Sequence, residues 1–160
     1  MNSIIIEAIG IKKTFKTDKK EKVEVLKGVD IAIKKGELLC IMGPSGVGKT
    51  TLLYILSSLE LPDQGKVFYS LNGEVFEIQK KSNDELASLR NKKIGFVFQF
   101  HHLLPEFSAV ENVALPLLIG GLNEKEAKMK AKNLLIDLEL GHRLNSRPSE
   151  LSGGEQQRVA

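Results

Sequence analysis

The sequence predicts an α/β fold with an N-terminal antiparallel β region, a central parallel sheet and a helical subdomain. Three observations carry this. Apolar and polar residues alternate through the first thirty-odd positions. Two short runs, Leu38–Met42 and Ile94–Phe98, are almost wholly apolar. Beyond residue 100, apolar residues recur at helical spacing behind capping signatures.

Ile4, Ile6, Ala8 and Gly10-Ile11 open the chain as a short apolar run, and Val23, Val25, Val29, Ile31 and Ile33 follow at period two. That alternation fits antiparallel strands with one wet face. Between them, Lys12–Lys22 holds six lysines against Asp18 and Glu21. It reads as a solvated hairpin loop, or alternatively as a basic surface for an acidic partner. Leu38–Met42 fits a strand buried on both faces, ending in a Gly-rich turn, with a helix from Lys49 to about Leu59. Pro62-Asp63-Gln64-Gly65 is a turn before a strand at Val67–Tyr69. Ser82 and Glu85 have capping-box spacing and start a helix through Arg90. Ile94–Phe98 is the second buried strand, ending at Gln99. Ser108 and Glu111 repeat the capping box before a helix over Asn112–Leu118. Asn123 caps a longer helix with an apolar stripe of Ala127, Ala131, Leu134, Leu135 and Leu138. Leu151–Ala160 begins a Gly-led helix that stops within a turn or two, so the chain reads as cut after this motif. The expected divisions are 1–36 for the antiparallel region, 37–99 for the core and 100–160 for the helical subdomain.

Composition excludes several classes. At 160 residues, 42% hydrophobic and 27% charged, the chain fits one globular domain, not a disordered or collagenous one. A net charge of +3 is too small to argue for nucleic acid, and none is expected as a partner. No apolar run approaches a membrane span, and no basic head precedes a long apolar stretch at the N-terminus. Cys40 is the only cysteine, so no internal disulfide can form.

Gly43-Pro44-Ser45-Gly46-Val47-Gly48-Lys49-Thr50 matches the phosphate-loop pattern G-x-x-x-x-G-K-[ST] between an expected strand and an expected helix. Glycines let successive backbone N–H groups turn inward around a polyphosphate, and the helix that follows adds its N-terminal donors. Lys49 suits the β- and γ-phosphates, and the Thr50 hydroxyl suits Mg²⁺, with Thr51 next on the same turn. The loop points to a nucleoside triphosphate without saying which class of enzyme holds it. The guanine-reading pattern N-K-x-D does not occur in the sequence, which weighs against a GTPase.

Leu151-Ser152-Gly153-Gly154-Glu155-Gln156-Gln157 adds a second candidate anion site at a helix start. Taken in order, the phosphate loop, Phe96-Val97-Phe98-Gln99 and this L-S-G-G-E motif resemble the ATPase subunits of ABC transporters over essentially the whole chain, and so imply a P-loop NTPase of ABC type. The resemblance implies ATP and Mg²⁺ as cofactors. Gln99 becomes a catalytic glutamine that contacts Mg²⁺ and senses the membrane partner, and Phe15 an aromatic stacked on adenine. Ser152, Gly153 and Gly154 become a signature that closes on the γ-phosphate held by a second copy, in an ATP sandwich dimer. The family usually carries Gln where this chain has Glu155. The stretches Gln99–Phe107, Glu111–Gly120, His142-Arg143 and Arg147–Leu151 resemble most closely the branch that drives lipoproteins out of the bacterial inner membrane. That branch implies transmembrane permease partners and a peripheral location on the cytoplasmic face of that membrane. A related exporter, a cell-division complex and a truncated non-catalytic nucleotide-binding module stay open. The family's Walker B aspartate, catalytic glutamate and switch histidine follow the signature, so no residue here takes those roles, and residues 1–160 alone are expected not to hydrolyse ATP. His101-His102 is expected to make contacts or pack, not to bind metal.

Overall fold

The computed structural model describes residues 3–16 and 21–160. They form two compact units, one through Arg90 and the other from Asn91 onward.

In the first unit, β1 (Ile4–Lys16) and β2 (Lys22–Lys34) form a long antiparallel pair. β3 (Gln64–Leu71) joins the other edge of β1, and β4 (Glu74–Glu77) pairs with β3, giving the order β2-β1-β3-β4 with every neighbour antiparallel. The antiparallel sheet therefore reaches well past residue 36. Asn72-Gly73 closes the β3–β4 hairpin with both residues at positive φ, the geometry whose twist matches the flanking strands. Ala8, Ile11, Val67 and Tyr69 from β1 and β3 are buried. So is the stripe Leu52, Ile55 and Leu56 of α1 (Lys49–Leu56), at the i, i+3, i+4 spacing of one helical face. The Tyr69 hydroxyl donates to the Leu56 carbonyl, joining sheet to helix. α1 ends three residues before the expected Leu59, because Ser58 adopts a left-handed backbone and turns the chain back. α2 (Asn83–Lys93) follows the expected Ser82–Glu85 box, in which each residue's side chain accepts from the other's backbone N–H.

The two apolar runs expected as strands of a central parallel sheet are not strands among the described residues. Both lack ladder pairing, and Leu38 is 98% exposed, Met42 84% and Val97 76%. Apolar content says that a segment gains by burial. It does not supply the neighbouring strand whose N–H and C=O groups a ladder needs.

In the second unit, α3 (Ala109–Ile119) starts at the Ser108–Glu111 capping box, and α4 (Glu124–Asp137) is capped by Asn123. α4 buries Ala127, Ala131 and Leu135, and Ala127 and Ala131 cluster with Ala114 of α3, so small side chains bring the two helices together. Leu134 and Leu138, expected in that stripe, are instead partly exposed along a groove of about 520 Å³ that Phe96, Phe98 and Leu103 also line. α5 (Gly153–Val159) completes the unit, its Val159 packed with Leu135, Leu140 and Leu151.

Candidate functional site

The glycine loop stands between a largely exposed segment without regular secondary structure and α1. Gly43, Gly46 and Gly48 take φ of 151°, 80° and 99°. At Gly48 an added Cβ would also lie 2.8 Å from a Val25 methyl carbon and 3.1 Å from the Val25 carbonyl. Only glycine allows both this turn and this approach to β2. Residues 43–47 are exposed. The Lys49 ammonium arches back over the loop and donates to the carbonyls of Gly43 at 2.9 Å and Pro44 at 2.8 Å. Thr50 is exposed and Thr51 half-buried, both in the first turn of α1.

The N-terminus of α1 differs from those of the other α-helices. Its N-cap, Gly48, makes no side-chain hydrogen bond, and no acidic residue stands in the first turn. The starts of α2, α3, α4 and α5 are capped by the side chains of Ser82, Ser108, Asn123 and Ser152. A helix start left with its first donors uncapped, behind an exposed glycine loop, is built to receive an anion.

Phe15 is 41% exposed near the end of β1, with the Lys13 ammonium 5.5 Å from its ring centroid. Lys13 corrects the solvated-loop expectation: it is a buried strand residue, whereas positions 17–20 of that span lie outside the described residues. Its ammonium meets Glu60 Oε1 at 2.6 Å, the Leu61 carbonyl at 2.7 Å and Asp63 Oδ1 at 3.3 Å. Burial is the largest single influence on it and lowers its pKa, but Glu60 and Asp63 together hold it above the ordinary lysine range.

In the second unit, Gln99 is exposed in a bend, and the His102 ring stands edge-on to Phe98 at 5.0 Å. Ser152 caps α5. Its hydroxyl and its backbone N–H donate to Glu155 Oε2 at 2.8 and 2.7 Å, while Glu155 Oε1 accepts from Arg143 Nε at 3.0 Å. These donors, the Ser152 backbone N–H foremost, hold the Glu155 carboxyl at a pKa of about 2. Gly153 and Gly154 are exposed beside this cap. The sequence offered no sign of Arg143 as the partner of Glu155, because the two meet only through the turn between α4 and α5.

This fold and these motifs define a class. Residues 26–160 match the ABC transporter family, and the chain belongs to it. It is similar to the lipoprotein-releasing system ATP-binding protein LolD of Porphyromonas gingivalis, 51% identical over 98% of this chain and 68% of that protein. The LolD protein of Aquifex aeolicus is also 51% identical, over 98% of this chain and 66% of its own length. Among solved structures, the ATP-binding cassette MJ0796 in a dimeric post-hydrolysis state bound to ADP and Pi aligns with a TM-score of 0.85 and 38% identity. That alignment covers 97% of this chain and 66% of the other. The chain thus spans about two thirds of the length of these relatives.

Proposed function

We propose that residues 1–160 form the nucleotide-binding part of an ATPase that drives lipoproteins from the bacterial inner membrane toward the outer membrane. It works on the cytoplasmic face, against transmembrane permease subunits, and pairs with a second copy of itself. The observation that carries the nucleotide half of this reading is the uncapped start of α1 behind an exposed glycine loop. Support for the transport half comes from relatives about 50% identical that bear the name of the lipoprotein-releasing system.

In this reading the backbone N–H groups of the loop from Ser45 to Gly48 wrap the polyphosphate, and those of Lys49, Thr50 and Thr51 add the helix start. Lys49 gives up the carbonyls of Gly43 and Pro44 for phosphate oxygens, a stronger charge-assisted pairing. Hydroxyl and amide oxygens suit a hard cation, so the Thr50 hydroxyl would help to hold Mg²⁺, and the Gln99 side chain is by its own chemistry suited to the same kind of ion. When bound, that ion neutralises phosphate charge. Phe15 offers its ring to adenine. Ser152, Gly153 and Gly154 of one copy face the triphosphate held by the other. Because Glu155 is fully engaged with Ser152 and Arg143, it acts as a cap, not as a phosphate contact.

Replacing Lys49 with Ala in the full-length protein is expected to abolish ATP binding in a calorimetric titration; retained binding would overturn the nucleotide reading. Co-purification of the full-length protein with a permease that carries lipoproteins tests the transport half, and recovery with a different exporter would reject it. A polypeptide of these 160 residues alone is expected to release no phosphate from ATP. Steady turnover that disappears in the Lys49→Ala form would refute that.

A further inference from the structure

We propose that Lys13 is a positioning residue that sets the Phe15 ring at a fixed distance from the phosphate loop; this rests on the reading of Phe15 as the adenine platform. Beyond Lys12, which pairs with Gln64, β1 has no further ladder with β3. The turn that follows α1 takes over that edge. The Asp63 N–H donates to the Lys12 carbonyl at 2.9 Å, and Asp63 Oδ2 accepts from the Thr14 N–H at 2.7 Å. Lys13 reaches into the same turn through Glu60, the Leu61 carbonyl and Asp63.

Two consequences follow. The last residues of β1 are stitched to the turn that follows α1, and the N-terminal end of that helix carries the glycine loop, so ring and loop belong to one braced segment. The ammonium, with its acceptors supplied, also lies against the Phe15 ring at 5.5 Å, within cation–π range. A ring steadied before the base arrives loses less rotamer freedom on stacking, and pre-organisation of that kind appears as affinity. A solvated lysine in a hairpin needs none of these contacts; this one is 9% exposed and engages three acceptors.

The test compares ATP with tripolyphosphate, which has no base, by calorimetric titration of the full-length protein. Lys13→Met is expected to weaken ATP about fivefold and leave tripolyphosphate unchanged within about twofold. Lys13→Gln keeps hydrogen-bond donors for the turn while removing the cation, so it reports the same ATP-specific loss should the methionine form fail to fold. Lys13→Arg is expected to restore ATP affinity to within about twofold. The double variant Lys13→Met/Phe15→Ala is expected to bind ATP no more weakly than Phe15→Ala alone. Equal weakening of both ligands, or additive losses in the double variant, would overturn the proposal. If Phe15→Ala leaves ATP affinity unchanged, the platform reading itself fails and the role of Lys13 goes with it. If Phe15→Ala weakens ATP and neither Lys13 variant does, only the Lys13 inference is lost.

Discussion

At the residue scale, Glu155 shows how an acidic side chain is held within the cap of α5. Its carboxylate caps α5 and takes the Arg143 side chain at 3.0 Å, and its pKa lies at about 2. An unfolded glutamate titrates at about 4.3. A depressed native pKa adds stability that is present above the unfolded value and lost as pH falls from about 5 toward about 2. In Glu155→Gln, which keeps a capping-box side chain, stability at neutral pH is expected to fall, the slope below about pH 5 to flatten, and the two proteins to converge toward about pH 2. Thermal melts across that range check this, and an unchanged acid limb would mean the carboxylate is not bound as described. For Phe15, truncation to Ala is expected to cost about 0.5–1.5 kcal/mol of ATP affinity. Where the glycine loop and its lysine fall was legible from spacing alone, since G-x-x-x-x-G-K-T is a local pattern. Arg143 and Lys13 were not legible, because their partners lie 12 and about 50 positions away along the chain.

Element by element, legibility followed the presence of a local signal. Helices announced by Ser82 and Asn123 start where those residues say, and the one announced by Ser108 starts at Ala109, three residues ahead of the expected Asn112, because a cap is decided by a side chain and the backbone N–H groups within three positions of it. Ser108→Ala is therefore expected to cost about 1 kcal/mol in chemical denaturation, whereas Ser108→Asp, also a good cap, should cost much less. The α3–α4 contact rests on Ala114, Ala127 and Ala131, all buried. Ala131→Leu is expected to overpack it by about 1–3 kcal/mol, seen as a lower denaturation midpoint with an unchanged slope. Period-two alternation located β1 and β2 but gave no warning of β4, whose four residues are too few to show a period. Nor could helical spacing tell that Leu134 and Leu138 face a groove while Leu135 faces the core.

On the scale of the whole molecule, the exposed apolar runs govern behaviour in solution. Leu38, Met42 and Val97 are among the most exposed large hydrophobics of the described residues, on segments whose backbone groups make no ladder. Exposed apolar surface on chain outside any ladder favours association between molecules. Apolar content led the sequence reading to expect buried strands here, and the structure shows exposed segments instead, since burial is a property of the partner strand as much as of the run itself. A polypeptide of these 160 residues is therefore expected to self-associate in a concentration-dependent way. Replacing Leu38 and Met42 together with Gln should raise its soluble fraction several-fold in a sedimentation assay. It should leave the melting temperature nearly unchanged, because neither side chain is part of the core. The same pair of changes in the full-length protein is expected to act in the opposite direction and lower its stability, if a further strand covers the run there. Were the double variant to aggregate as readily as the unaltered 160-residue chain, self-association would have to arise elsewhere, and the groove beside Leu134 and Leu138 would be the next surface to alter.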